Sequence, residues 1–292
     1  MDTSLLRTDI EKDLKEHLKL IVPNHIISKG YDYAIFPAGK LFRPLLIRTL
    51  AVDFNSDSEN HKFLASFVEL HHDYTLVHDD LPCMDNDDYR RGRLSTHKKF
   101  GEWQALLIGD GLINASYHLL SKIDSPNLGL ILKFISWSLG PKGLIHGQVL
   151  DLSSNTKESF EKILQTHALK TGKLIQVCLI SSYLLSEKPN YRTCLDLGKL
   201  GLNLGLVFQL LDDFDDIKEI ENNCSNQHEI NINPFIHYPE ESKNKLITSF
   251  NKMIKLLDQY NLNNLKIVID QYLEKATKDL PAEISSHLRA VR

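Results

Sequence analysis

Cysteine is scarce and unpatterned in this chain. Cys83, Cys178, Cys194 and Cys224 are scattered with no C-x-x-C pair among them. That spacing gives neither a zinc framework nor a disulfide framework, and it fits reduced, partly buried thiols in a cytoplasmic protein. Glycine and proline are modest too, at 14 and 10 residues of 292, so long helices are permitted. No segment of useful length alternates polar and apolar residues, which removes the sheet-based classes. There is no uninterrupted apolar run of roughly 18 residues, so no membrane span is expected. Nor is there a surplus of positive charge. The formal balance of −4, from 34 basic and 38 acidic residues, argues against a general nucleic-acid binder. The first residues, MDTSLLRTDIEKDLKEH, mix both charges where a signal peptide would carry an apolar centre, so no leader is expected.

What is present is helical patterning. The apolar share of 42 % is enough for a large core. Phe63, Phe67, Leu70, Tyr74 and Val77 recur at spacings of four, three, four and three, the stripe of a buried helix face. Similar patterns predict helices over 4–22 (halted near Pro23), 45–54, 59–78, 102–123, 128–138 (ended by Gly140-Pro141), 159–186 and 191–220. Gly109 and Gly111 inside the fourth of these mark close helix packing. His146-Gly147-Gln148, just before Asp151-Leu152, reads as a polar break. Residues 221–233 read as a polar loop, and Asn233-Pro234 has the cap-then-proline form of a helix start. The remainder, 239–292, reads as short helices separated by polar turns. Together these predict one all-α domain over residues 1–292, a bundle whose central helices are apolar nearly all round.

Two acidic clusters interrupt that apolar pattern. Asp79, Asp80, Asp85, Asp87 and Asp88 place five carboxylates within ten residues, directly before Arg90 and Arg91. At a helix C-terminus such side chains face the negative end of the helix dipole, and Pro82 disturbs the helix just beyond them. Crowded oxygen-only ligands suit a hard cation such as Mg²⁺, and the adjacent guanidinium groups suit a phosphate-bearing polyanion. The second cluster, Asp212, Asp213, Asp215 and Asp216, ends another apolar helix about 130 residues later. Asp212 and Asp216 stand one turn apart on one face, with Gln209 on the same side. Two clusters of this kind suggest a shared metal site. Lys40 and Arg43, three residues apart, project to one side of a starting helix whose amides would add to an anion site.

The motifs GKLFRP, HDDLPCMDNDDYRRG, GQVLDL, LKTGKLI and FQLLDDFDD occur in this order from about Gly39 to Asp216. In that set the chain resembles the trans-polyprenyl diphosphate synthase family, and most closely its bacterial farnesyl diphosphate synthase branch. The resemblance implies an all-helical isoprenoid-synthase fold, a bundle around a central cavity, usually a homodimer. It implies that Asp79, Asp80 and Asp85 bind Mg²⁺ that bridges to an allylic diphosphate, and that Asp212, Asp213 and Asp216 hold a further Mg²⁺. Gly39, Lys40, Arg43, His72 and Arg91 are then the site for isopentenyl diphosphate. Arg90 and Lys170 contact the allylic diphosphate, and Thr171 and Gln209 support its reacting end. Tyr74, five residues before Asp79 and about 7.5 Å along a helix axis, is an aromatic floor that would limit product length.

Three functions stay open on this reading: an active farnesyl diphosphate synthase with geranylgeranyl diphosphate synthase as its variant, a weakly active or non-catalytic partner subunit, and a class I terpene cyclase. GKLFRP and the arginine pair count against the cyclase, which has no use for a second anion site. After Asp216 the family pattern has two further lysines. Here IKEIENNCSNQHEININPFIHY offers only Lys218, too early to match either. Residues 221–233 are therefore expected to be mobile without ligand, and the allylic substrate to bind more weakly than isopentenyl diphosphate, unless Lys173 and Lys218 compensate.

Overall fold

The computed structural model describes every residue except 1, 23, 154–158, 222–231, 278–287 and 289–292, together with the backbone alone of 218–221 and 275. The polar loop expected at 221–233 falls almost wholly outside the described residues. The chain resolves into two compact units, Met1–Leu128 and Gly129–Arg292.

In the first unit the helices are α1 (Thr3–Ile21), α2 (Ser28–Ile35), α3 (Phe42–Asp53), α4 (Glu59–Asp79), α5 (Thr96–Phe100) and α6 (Glu102–Leu120). Asp2 caps α1 by accepting hydrogen bonds from the Ser4 and Leu5 amides at 2.9 and 3.3 Å, which satisfies two of the orphan amides of a helix start. Leu6, Ile10, Leu14 and Leu18 then form its buried stripe at steps of four. Helix α4 is buried along most of its length, with Leu64, Phe67, Val68, Leu70, Tyr74 and Val77 all inside, and its chief neighbours are α6 and α3. A Cβ on Gly109 would lie 2.1 Å from the His78 imidazole, so the close packing of α6 on α4 is as the glycine predicts.

Several sequence expectations are corrected here. Lys40 does not lie on the starting helix: α3 begins at Phe42, after Leu41 in the left-handed region. Helices α2 and α5 had no clear periodic signal because they are only eight and five residues long. A two-residue antiparallel pair, β1 (Tyr89–Arg90) with β2 (Arg93–Leu94), forms a minimal hairpin. It is too short for alternation to reveal.

The second unit holds α7 (Leu128–Leu139), whose first residue belongs to the other unit, α8 (Leu144–Leu152), α9 (Phe160–His167), α10 (Lys173–Leu184) and α11 (Tyr191–Glu221). Short helix Pro234–His237 and two longer ones, Pro239–Gln259 and Asn263–Ala276, follow. The tail helices are therefore long amphipathic ones, with Leu246, Phe250, Met253, Ile254 and Leu257 buried on the first. The expected polar break at His146–Gln148 lies inside α8. The single helix expected over 159–186 is split: residues Ala168–Gly172 form one wide π turn between α9 and α10. Two stretches, Leu128–Leu152 and Tyr191–Ile217, are long and apolar enough to cross a bilayer by length and composition alone. The first is broken at residues 140–143 between α7 and α8. The second is a core helix, with Leu197, Leu200, Leu204, Val207, Leu210 and Leu211 buried.

The π turn is seated by glycine. A Cβ on Gly205 of α11 would lie 2.7 Å from the Cα of Gly172 and 3.2 Å from its nitrogen. The obstacle is backbone and cannot rotate away. Gly205→Ala is expected to cost about 1–3 kcal/mol of stability as an overpacking change. Gly129→Ala on α7, where an added Cβ meets nothing within 4 Å, should be neutral or gain about 0.5–1 kcal/mol. Denaturant unfolding of the two variants beside the parent measures the contrast.

Candidate active site

The first acidic cluster folds back under the end of α4. The Asp85 amide donates to the Asp79 carbonyl at 2.9 Å, and Met84 and Asn86 both donate to the Leu81 carbonyl, at 2.9 and 3.1 Å. The next turn supplies the positive charge. Arg91 and Gly92 have φ of +54° and +75°, the pair of left-handed residues that a two-residue hairpin between β1 and β2 requires. This turn directs the two arginines differently. Arg90 donates to Asp80 Oδ1 from Nε at 2.8 Å and from Nη2 at 2.5 Å, and to Asp87 Oδ2 at 2.8 Å. Asp80 is 2 % exposed. Burial pushes its carboxyl upward, and the Arg90 guanidinium opposes that shift. Asp79 and Asp85 stay half-buried.

Arg91 turns inward instead. Its Nη2 donates to Asp73 Oδ1 at 3.0 Å and its Nη1 to the Ile35 carbonyl at 3.4 Å. The guanidinium lies so close to Gly39 that a Cβ there would sit 3.1 Å from its carbon, and Arg7 donates to the Gly39 carbonyl at 2.7 Å. Arg43 Nη1 and His72 Nε2 are 3.1 Å apart. Burial, then the Arg43 and Arg91 charges, hold His72 well below the ordinary histidine range, so it meets Arg43 as a neutral acceptor. Of the expected anion residues the structure thus joins Arg43 to His72 and Arg91 to Gly39, while Lys40 is exposed. Tyr74 is buried edge-on to His71, ring centroids 4.6 Å apart. Burial drives the His71 pKa to about 3 and pushes the Tyr74 phenol up, so neither ring is charged.

The second cluster repeats the device with other residues. Asp213, the second of its aspartate pair, is buried, and His167 Nε2 lies 2.9 Å from its Oδ2, a close contact without hydrogen-bond alignment. Gln209 accepts from Thr171 Oγ1 at 2.9 Å and reaches Asp213 Oδ1 from Nε2 at 3.4 Å. Asn233 donates to the Asp213 carbonyl at 2.6 Å while accepting from the Phe235 amide. Tyr272, stacked on Phe208, donates to Asp212 Oδ1 at 3.2 Å. Lys170 on the π turn is 2.5 Å from Asp151 Oδ2 on α8. His167, Tyr272 and Asp73 are residues the sequence did not single out, and Asp151 stood out only in the GQVLDL motif beside a polar break. His167 had one signal, its place three residues before Lys170.

Among the described residues no three His, Cys, Asp or Glu side chains are gathered tightly enough to cage a metal by themselves. Mg²⁺ needs no such cage, because it keeps waters and is held by one or two carboxylates together with substrate phosphates. The oxygen-only donors Asp79 and Asp85 in one unit, and Asp212 and Asp216 in the other, fit that requirement. Asp80 and Asp213 are each engaged by a basic side chain of their own unit.

A family model described as polyprenyl synthetase matches residues 24–228. A farnesyl diphosphate synthase of Geobacillus stearothermophilus is 33 % identical over 218 residues, 73 % of each chain. A chloroplastic geranylgeranyl pyrophosphate synthase of Capsicum annuum is 33 % identical over 215 residues, 71 % of this chain and 58 % of the relative. The solved structure of a Helicobacter pylori geranyltransferase, complexed with magnesium and isoprenyl diphosphate, superposes with a TM-score of 0.74 at 27 % identity. It covers 91 % of this chain and 97 % of that one.

The His167 contact is testable without activity. His167→Ala leaves the buried Asp213 carboxylate without its basic neighbour, and a stability loss of about 1–3 kcal/mol is expected. Urea unfolding at neutral pH measures it. A midpoint equal to the parent's would mean that Gln209 alone suffices to hold the Asp213 side chain.

Proposed function

The chain belongs to the polyprenyl synthetase family, and from that premise we propose that it condenses isopentenyl diphosphate with dimethylallyl or geranyl diphosphate and releases farnesyl diphosphate. The all-α isoprenoid-synthase fold and the transferase class are those of its relatives. It is a trans-prenyltransferase of the isoprenyl diphosphates. The observation that carries the finer reading is the division of labour within each aspartate pair. One carboxylate is buried against a basic side chain, and its neighbours in the motif stay half-exposed.

In the first unit Asp79 and Asp85 would hold Mg²⁺, and in the second Asp212 and Asp216 would hold a further Mg²⁺. Bound there, Mg²⁺ supplies Lewis-acid neutralisation of the leaving diphosphate. The chain's own residues do the rest. Arg90 and Lys170 bring fixed positive charge to the allylic diphosphate, each oriented by a carboxylate before substrate arrives, and preorganised charge of this kind is usually the largest catalytic term. Arg43 and Arg91, with neutral His72 beside Arg43, receive the second diphosphate. Thr171 fixes the Gln209 side chain, so its dipole keeps one orientation towards the reacting end. Along α4 before Asp79, uncharged His71 and Tyr74 offer no anion that would trap an allylic cation.

Tyr74 supports the farnesyl product, since a buried ring one and a half turns before Asp79 would stop a growing chain. Geranylgeranyl diphosphate is the competing product, supported by the Capsicum relative. A homodimer, a cytoplasmic location and one synthase domain over residues 1–292 belong to the same proposal. Trp103, Leu106 and Leu107 support the dimer as an exposed apolar stripe on α6, a surface that a second copy would cover. Cys83 and Cys194 support the location as free thiols.

Labelled isopentenyl diphosphate offered with each allylic primer tests the reaction. Activity is expected to vanish on chelation and to fall at least about 10²-fold in Asp79→Ala and in Asp212→Ala, the scale on which lost charge stabilisation is felt. Full turnover in either variant would remove the metal reading.

Tyr74→Ala is expected to shift the product from the C15 to the C20 class, read by chromatography of the dephosphorylated alcohols. A variant that still stops at C15 would place the floor elsewhere.

A further inference from the structure

The group facing Arg91 is unusual for a residue meant to bind an anion. Asp73 on α4 is 1 % exposed. Its Oδ1 accepts from Arg91, and its Oδ2 is buried without any hydrogen-bond partner. One turn earlier on the same helix, Glu69 is buried as well. Two buried carboxylates therefore stand against Arg43 and Arg91, and the guanidinium charge is already balanced from within the unit.

We propose that Asp73 is a built-in competitor for the second substrate: it holds Arg91 in the free chain, and the diphosphate of isopentenyl diphosphate must displace it. This inference rests on reading Arg91 as a ligand of that diphosphate. The orphaned Oδ2 leaves the buried carboxylate satisfied on one oxygen only, an exception among buried polar groups that calls for a functional reason. Burial first, and then the Glu69 charge, keep the Asp73 carboxyl well above the usual carboxylate range against the opposing Arg91 and Arg43 charges. A charge-assisted hydrogen bond is worth about tenfold or more in affinity, so the competitor raises the substrate concentration needed for saturation by that order. Asp73 touches no reacting atom in this scheme; it acts through Arg91.

The test is Asp73→Asn, which keeps the shape and removes the charge, with Asp73→Ser as a second variant should the amide not fold. The KM for isopentenyl diphosphate is expected to fall about tenfold, while kcat and the KM for geranyl diphosphate stay within about twofold. A KM that rises or stays constant would overturn the competition and make Asp73 a simple support for Arg91. Glu69→Gln is the control for general charge, since Glu69 acts on Arg91 as a nearby buried charge; an equal fall there would also overturn direct competition. Calorimetric titration with inorganic diphosphate alone separates this idea from the catalytic reading. Tighter binding by Asp73→Asn than by the parent upholds the competition even if no condensation is observed. Equal or weaker binding rejects it even if the enzyme is active.

Discussion

Like charges gathered at the end of a helix repel one another and the helix dipole, and this constraint shapes the first unit. Helix α4 delivers Asp79 and Asp80 at its negative end, where carboxylates are unfavourable. The chain answers within ten residues. Arg90, on the first strand of a hairpin, forks onto Asp80, and the hairpin exists because Arg91 accepts a left-handed backbone beside Gly92. The turn residues that look incidental to an acidic motif are what allow it to persist.

The second unit also crowds carboxylates, within α11 rather than at its end, and surrounds the buried one without arginine. Helix α11 carries its aspartates across the width of the π turn, and His167, Gln209 and Asn233 surround Asp213. The π turn has a local purpose here. It widens the helix at residues 168–172 so that Lys170 meets Asp151 while Thr171 meets Gln209. Such bulges often mark functional positions, and this one is closed by backbone contact between Gly172 and Gly205.

Charge inside the first unit is balanced rather than merely positive. Arg43 and Arg91 face Glu69 and Asp73, with His71 and His72 kept neutral by burial. An anion site built in this way discriminates by exchange of partners. That costs affinity, and it also keeps the buried Glu69 and Asp73 carboxylates from standing uncompensated in the free chain.

Much of this protein was determined by local sequence. Helical periodicity predicted α1, α3, α4, α6, α7 and α11 closely, because each buries a stripe long enough to show its period. The clustering of aspartates and arginines marked the chemistry, because five carboxylates in ten residues demand positive partners. Tertiary structure decided the rest. Short elements such as α2, α5 and the hairpin carry no measurable period, and the π turn differs from an α-helix by one residue per turn. Above all, which carboxylate is buried and which is half-exposed depends on residues distant in the chain. Arg90 reaches back to Asp80, His167 reaches forward to Asp213, and Arg91 meets Asp73 across eighteen positions. Composition can place those residue types in one protein; only folding brings a particular pair within 3 Å.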